Sequence, residues 1–167
     1  MAAVSPPAGS GKLHSEASNL QSPYDLAKRQ SGRPLLVFFE QKNCPPCDEL
    51  HNDVLAQRGS QDLIEQFDVL LLDTWAKTPL ITPAGKKMTA EEWGKSLNLT
   101  YLPTMLFFDA SGIEVFRTEG WLRTFHVQSS MEYVLNNAYL HEKEFQRFVE
   151  ERASKLREQG IEVDLLK

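Results

Sequence analysis

An apolar run followed closely by two neighbouring cysteines constrains the fold of this chain more than any other feature. The run, Leu35–Phe39, is rich in residues that favour strands and predicts a buried β-strand. After four polar residues comes Cys44-Pro45-Pro46-Cys47, where prolines near the first turn, with acidic residues behind them, predict the start of a helix. Both cysteines of the chain therefore lie where a strand passes into a helix.

The spacing of the two cysteines predicts reversible disulfide chemistry. Residues three positions apart lie on one face of a helix, so the two thiols can close and reopen a small ring. The first turn of a helix has unpaired N–H groups and the positive end of the helix dipole, which stabilise a thiolate. We expect Cys44 to be the more exposed and more acidic thiol, which attacks the substrate, and Cys47 to be the buried thiol that releases it.

Composition limits the class of protein. Hydrophobic residues make up 41% and charged residues 25% of the 167 positions, as in one globular domain with a core. The net charge of −5 gives no reason to expect nucleic acid as a partner. No apolar run approaches the length of a membrane span, so we expect no membrane insertion, and we expect a monomer. The first seven residues lack the basic start and apolar core of a signal peptide, and the cysteine count leaves the compartment open.

The order of patterns predicts a flexible tail followed by one α/β domain. Residues 1–19 are rich in Ala, Ser, Pro and Gly and predict the tail. Residues 20–167 predict a single domain, with a core at about 32–135 and a C-terminal helical extension at 136–167. Strands that alternate with helices and then form a hairpin indicate a mixed sheet covered on both faces. We predict a short helix at 24–30 and an inserted loop at 74–88, with a small hairpin in that loop as an alternative.

Three landmarks in the same order resemble the thioredoxin superfamily over roughly 32–135. They are the strand followed by Cys44-Pro45-Pro46-Cys47, the step Tyr101-Leu102-Pro103-Thr104 into a strand, and a Ser111-Gly112 hairpin followed by Glu119-Gly120-Trp121. The resemblance implies a thioredoxin fold and an enzyme of dithiol/disulfide exchange. It implies no cofactor beyond the redox-active Cys44–Cys47 disulfide, and a cis bond between Leu102 and Pro103 opposite it.

The resemblance also implies a groove for an extended substrate chain, which would bind by strand addition. Its expected residues surround the dithiol and the proline loop: Pro45, Pro46, Leu102, Pro103, Thr104, Gly120 and Trp121. Disulfide-bearing proteins are the expected partners.

Finer features resemble the periplasmic thioredoxins of bacterial sulfur-oxidation (Sox) clusters. These features are Phe39-Glu40-Gln41 before the motif, the loop after Asp73 and a closing helix that contains 145–148. This resemblance implies a periplasmic disulfide reductase that acts on protein or protein-bound sulfur disulfides. It also implies a membrane electron donor of the DsbD type.

The sequence departs from the superfamily pattern at two positions. Asn43 replaces the tryptophan that usually precedes the first cysteine, and Phe38 replaces a buried acid on the strand. Strand alternation puts Glu40 on the same face as Phe38. We therefore predict that Glu40, if it points inward, accepts the proton of Cys47 during exchange, with a solvated strand end as the alternative.

A metal-binding function is the main alternative to enzymatic exchange. A zinc site would need more ligands than Cys44, Cys47 and His51, so we expect no bound metal. A thioredoxin-fold binding module or copper metallochaperone, which would hold a thiol-bearing partner, stays open as the other class.

Overall fold

The computed structural model describes residues 2–7 and 11–167. The strands are β1 (Ala2–Ala3), β2 (Tyr24–Asp25), β3 (Leu35–Glu40), β4 (Asp68–Asp73), β5 (Pro79–Ile81), β6 (Lys87–Thr89), β7 (Tyr101–Leu102), β8 (Thr104–Phe108) and β9 (Glu114–Glu119). The helices are α1 (Pro45–Glu49), α2 (Arg58–Ile64), α3 (Ala90–Ser96), α4 (Thr124–Leu135) and α5 (Phe145–Glu158). A π turn follows α1 at Leu50–Val54, and short 3-10 turns lie at Ser15–Ala17 and Ala138–Leu140.

A mixed sheet with the strand order β4-β3-β8-β9 forms the centre of the molecule. Strand β3 is parallel to β4 and antiparallel to β8, and β9 returns antiparallel to β8. Helices cover both faces, so the predicted α/β thioredoxin fold with a mixed sheet is confirmed. Strand β3 is buried along its whole length because it is an inner strand with helices on both sides.

The alternation of side chains along β3 divides the core into two layers. On one face, Leu35, Val37 and Phe39 pack with Trp93 of α3 and with both cysteines. On the other face, Leu36 and Phe38 pack with the π turn and with α4. The start of α1 therefore belongs to the layer that α3 covers.

The inserted segment forms a hairpin, and the predicted helix at 24–30 is wrong. Strands β5 and β6 pair antiparallel within the predicted loop, and β2 adds to β5 as a parallel strand. The backbone N–H of Leu26 donates to the carbonyl oxygen of Ile81 at 2.8 Å. The backbone N–H and C=O groups of this segment form hydrogen bonds with β5, far along the chain, instead of with each other as in a helix.

The described residues of the N-terminal segment, which composition predicts to be a flexible tail, contact the sheet at several points. The backbone N–H of Leu71 donates to Ser18 Oγ, and the N–H of Val69 donates to Asn19 Oδ1, both at 2.8 Å. Strand β4 lies at the edge of the central sheet, so its outer backbone groups are free to bind these side chains. At the other end of the segment, β1 pairs with β7. Within the predicted tail, residues 1 and 8–10 lie outside the described part of the chain.

The C-terminal extension packs on the domain through α5. Phe125 of α4 forms a small apolar cluster with Val149 and Ala153 of α5. The backbone N–H of Thr124 donates to the carbonyl oxygen of Lys167 at 2.8 Å, so the chain end returns to the start of α4. None of the helices in the described ranges is long and apolar enough to cross a membrane.

Candidate active site

A tight turn delivers the chain from β3 into α1. Asn43 has a φ of 53°, in the left-handed region, which asparagine adopts more readily than most residues. Cys44 then has extended backbone angles and caps the helix, with its Sγ accepting from the N–H of Cys47 at 3.3 Å. The unusual Asn43 thus provides the turn that places both cysteines at the helix start.

Cys44 and Cys47 form a disulfide whose Cα atoms lie 5.2 Å apart. In this disulfide form both cysteines are buried, with exposed fractions of 2% for Cys44 and 1% for Cys47, so the order of exposure in the reduced protein stays a prediction. Both cysteines pack in the apolar cluster that includes Phe39 and Leu102. Little of either cysteine is therefore open to a partner in this disulfide form.

The proline loop lies against the same cluster. The Leu102–Pro103 peptide bond is cis, which is the isomer expected from the sequence, and Leu102 is fully buried. Thr104 Oγ1 donates to the carbonyl oxygen of Tyr101, and the N–H of Gly120 donates to the carbonyl oxygen of Pro103, both at 2.8 Å. These two hydrogen bonds hold Thr104 beside Tyr101 and Gly120 beside Pro103.

The remaining groove candidates lie in different surroundings. Pro45 is exposed and Pro46 half-buried at the start of α1, so both are within reach of a partner near the cysteines. Trp121 packs in the opposite layer, where its ring centroid lies 5.3 Å from that of Phe145 and 6.1 Å from that of Phe116. The structure therefore groups Trp121 with α5 rather than with the disulfide.

Glu40 is fully buried, so the alternative of a solvated strand end does not apply. Its Oε2 is hydrogen-bonded to His51 Nε2, and its Oε1 has no hydrogen-bond partner among the described residues. Burial raises the pKa of the Glu40 carboxyl, and the hydrogen bond and charge of His51 offset only part of that rise. The structure thus provides a buried carboxyl with one oxygen free to take a proton.

His14 and Asp48 extend the Glu40–His51 pair into a cluster of four side chains, which the sequence had not indicated. The ring of His14 stacks on that of His51 at 4.3 Å, and His14 Nε2 lies 2.8 Å from Asp48 Oδ1. Burial alone lowers the pKa of His14, but the hydrogen bond to Asp48 and the surrounding carboxylates more than compensate and raise it. His51 follows Cys47 by one helical turn, which was visible in the sequence. No local pattern pointed to His14, which is 34 residues from Asp48.

These groups do not form a metal site as they stand. In the parts of the chain that the structure describes, no group of three or more His, Cys, Asp or Glu side chains has an arrangement that could hold a metal ion. His51 is hydrogen-bonded to Glu40, and both cysteine sulfurs are in the disulfide.

Comparison with known proteins agrees with this architecture. The family model described as a thioredoxin-like domain matches residues 25–135. A thioredoxin-fold protein from Helicobacter pylori superposes with a TM-score of 0.64 at 15% identity, covering 74% of this chain and 86% of that chain. A thioredoxin from Thermus thermophilus gives 0.48 at 22% identity, covering 66% and 81%. A disulphide isomerase from Xylella fastidiosa Temecula1 gives 0.39 at 14% identity, covering 74% and 80%. None of the curated proteins compared with the chain matches it.

The family match and the site geometry lead to the same conclusion. The likeness to the Helicobacter pylori protein shows the fold. A disulfide-forming Cys-X-X-Cys pair on a thioredoxin-like fold indicates a thiol–disulfide oxidoreductase in the general sense. Because the family model matches well over half of its residues, the chain belongs to the family of thioredoxin-like domains.

Proposed function

We propose that the protein is a periplasmic disulfide reductase similar to SoxW, the thioredoxin of bacterial sulfur-oxidation clusters. The observation that carries the oxidoreductase chemistry is the Cys44–Cys47 disulfide at the start of α1, packed in one cluster with Leu102 of the cis-proline loop. The Phe39-Glu40-Gln41 stretch, the inserted segment after Asp73 and the closing helix α5 support the finer comparison with SoxW. Protein disulfides or protein-bound sulfur are the proposed substrates, and the protein is proposed to act as a monomer.

The proposed reaction transfers two electrons from the dithiol to a substrate disulfide. The Cys44 thiolate attacks one substrate sulfur, which breaks the substrate S–S bond, forms a mixed disulfide and releases the other sulfur as a thiolate. Cys47 then loses its proton and attacks Cys44 Sγ, which frees the second substrate thiolate and closes the Cys44–Cys47 bond. The substrate is reduced and the protein oxidised, and a membrane dithiol donor of the DsbD type is proposed to restore the reduced form.

Reduction of insulin with dithiothreitol as the electron source tests this function. We expect wild-type protein to accelerate precipitation of the insulin chains and Cys44→Ser to be inactive. Cys47→Ser should accumulate a mixed disulfide that mass spectrometry detects, because the resolving thiol is missing. A wild-type protein that gives no acceleration would contradict the proposal and favour a binding module. Partners trapped on Cys47→Ser in cells would identify the physiological substrate and its compartment.

A further inference from the structure

The chain's own N-terminal strand occupies the backbone edge next to the cis-proline. Strand β1 pairs antiparallel with β7, with Ala3 opposite Tyr101 and Ala2 opposite Leu102. The backbone N–H of Val4 donates to the carbonyl oxygen of Thr100 at 3.3 Å. Strand β7 ends directly before Pro103, and β1 is its partner in this two-stranded sheet. One strand edge cannot form the same hydrogen bonds with two chains at once.

The same segment also lies against the residue that precedes Cys44. A Cβ atom built on Gly11 would lie 2.8 Å from the backbone nitrogen of Asn43 and 2.3 Å from its Oδ1. Real Cβ atoms do not approach other heavy atoms so closely, so any side chain at position 11 would force the two segments apart. Gly11 therefore allows the N-terminal segment to pass directly over the turn into α1.

A third contact fixes the segment to the active-site helix. His14 stacks on His51 and is bonded to Asp48, so it contacts both α1 and the π turn. Val4 packs on the cluster that contains both cysteines. The described residues 2–7 and 11–14, named here the N-terminal strap, thus contact the proline loop, the cysteine turn and the active-site helix.

We propose that the N-terminal strap is an internal competitor for the substrate groove, and that a partner binds by replacing β1 with its own extended segment on β7. This inference rests on the proposed function, since it assumes that a disulfide-bearing chain docks beside Pro103. The partner is therefore a protein that can present an extended strand next to its disulfide. The apparent affinity for such a partner is the intrinsic affinity multiplied by the fraction of molecules in which the strap is open.

Loosening the strap should therefore improve turnover of a protein disulfide. Val4→Pro removes the N–H that bonds to Thr100 and leaves the residues of the proposed groove unchanged. Ser5→Pro is the matched control, because it introduces the same residue at an exposed position one residue beyond the Val4–Thr100 hydrogen bond. Gly11→Ala tests the second contact independently. Insulin reduction with dithiothreitol gives kcat and KM for each protein.

We expect Val4→Pro and Gly11→Ala to raise kcat/KM for insulin at least about threefold, mainly through a lower KM, while Ser5→Pro matches wild type. Amide hydrogen exchange of segment 100–102 provides the second readout. We expect this segment to be protected in oxidised wild type and in Ser5→Pro, and to exchange faster in the two strap variants.

The possible outcomes test the strap proposal and the proposed function separately. Released strap variants, identified by fast exchange at 100–102, that reduce insulin no better than wild type would overturn the competition. Wild-type exchange at 100–102 as fast as in Val4→Pro would overturn the strap contact itself. If no form reduces insulin, the proposed function fails, and the strap is then judged by exchange alone.

Discussion

At the scale of single residues, Glu40 is a buried acid on the Phe38 face of β3, the face opposite the layer that holds both cysteines, and it is hydrogen-bonded to His51. Phe38 stands where the superfamily pattern has a buried acid, and its ring centroid lies 5.3 Å from that of His51. Glu40 lies two residues further on the same strand face and is bonded to that histidine. Glu40 Oε1 has no hydrogen-bond partner among the described residues, and that this carboxyl accepts a proton during exchange stays a prediction.

Glu40→Gln should change both the pH dependence of stability and the release step. The raised pKa means that folded wild type retains a proton that the unfolded chain has lost, so wild-type stability falls as pH rises from about 4.5 through the folded pKa. Glutamine does not titrate, so the variant should be as stable as wild type or more stable by on the order of 1–3 kcal/mol above that window. Urea unfolding of the oxidised proteins between pH 4 and pH 8 measures this difference.

The kinetic part of the same prediction concerns the second step of exchange. Attack by Cys44 should stay nearly unchanged in Glu40→Gln, whereas release of the mixed disulfide should slow, because Cys47 loses its proton less readily without a base. Stopped-flow turnover across pH resolves the two steps. The exposed Glu158→Gln serves as a control. Overlapping wild-type and Glu40→Gln profiles would mean that the carboxyl takes no part in exchange.

At the scale of elements, the helix next to the disulfide layer contains a glycine in its interior. Gly94 lies in α3, which begins with a capping box formed by Thr89 and Glu92. A Cβ atom at Gly94 would meet Thr74, Leu99 and Phe39 at 3.4–3.6 Å, which is ordinary van der Waals contact. The helix can therefore accommodate alanine at this position.

Gly94→Ala should raise the free energy of unfolding by up to about 1 kcal/mol, since alanine favours the helical backbone and fills its contacts without displacement. Gly160→Ala is the opposing variant. Its φ of 79° after α5 disfavours a side chain, so we expect a loss of about 1 kcal/mol although no atom lies within 4 Å. Urea unfolding of both variants measures the two changes. A loss of stability in Gly94→Ala would show that the contacts around α3 are tighter than the structure indicates.

At the scale of the whole molecule, the C-terminal extension is joined to the sheet through aromatic packing. Phe145 of α5 contacts Phe116 of β9 at 4.7 Å between ring centroids, and it also contacts Trp121. Arg152 lies over the ring of Phe125 and is bonded to Glu132 of α4. These contacts couple α5 to the layer that contains α4, so we expect the extension to unfold together with the domain.

Val149→Ala should destabilise the protein by roughly 1–3 kcal/mol, because Val149 is fully buried between α4 and α5. Tryptophan fluorescence, which reports on Trp75 and Trp93 as well as on Trp121 beside α5, and far-ultraviolet circular dichroism should give the same shifted urea midpoint. Leu140→Ala is the matched control, since Leu140 is 58% exposed and should change stability little. Separate transitions for the two signals would show that the extension folds independently.

The strand before the cysteines, the positions of the disulfide and the cis-proline, and the order of the main elements could be predicted from the sequence. The strand and the helix start follow from local patterns of apolar and helix-start residues, whereas the cis-proline was expected from the resemblance to the thioredoxin superfamily. The burial of Cys44, the bonding of Glu40 to His51, the contact of His14 with Asp48, and the pairing of β1 with β7 were decided only by the tertiary structure. These contacts join residues far apart along the chain, so no local propensity encodes them. The described N-terminal residues, in the segment that composition predicts to be a flexible tail, contact strand edges that offer them hydrogen-bond partners.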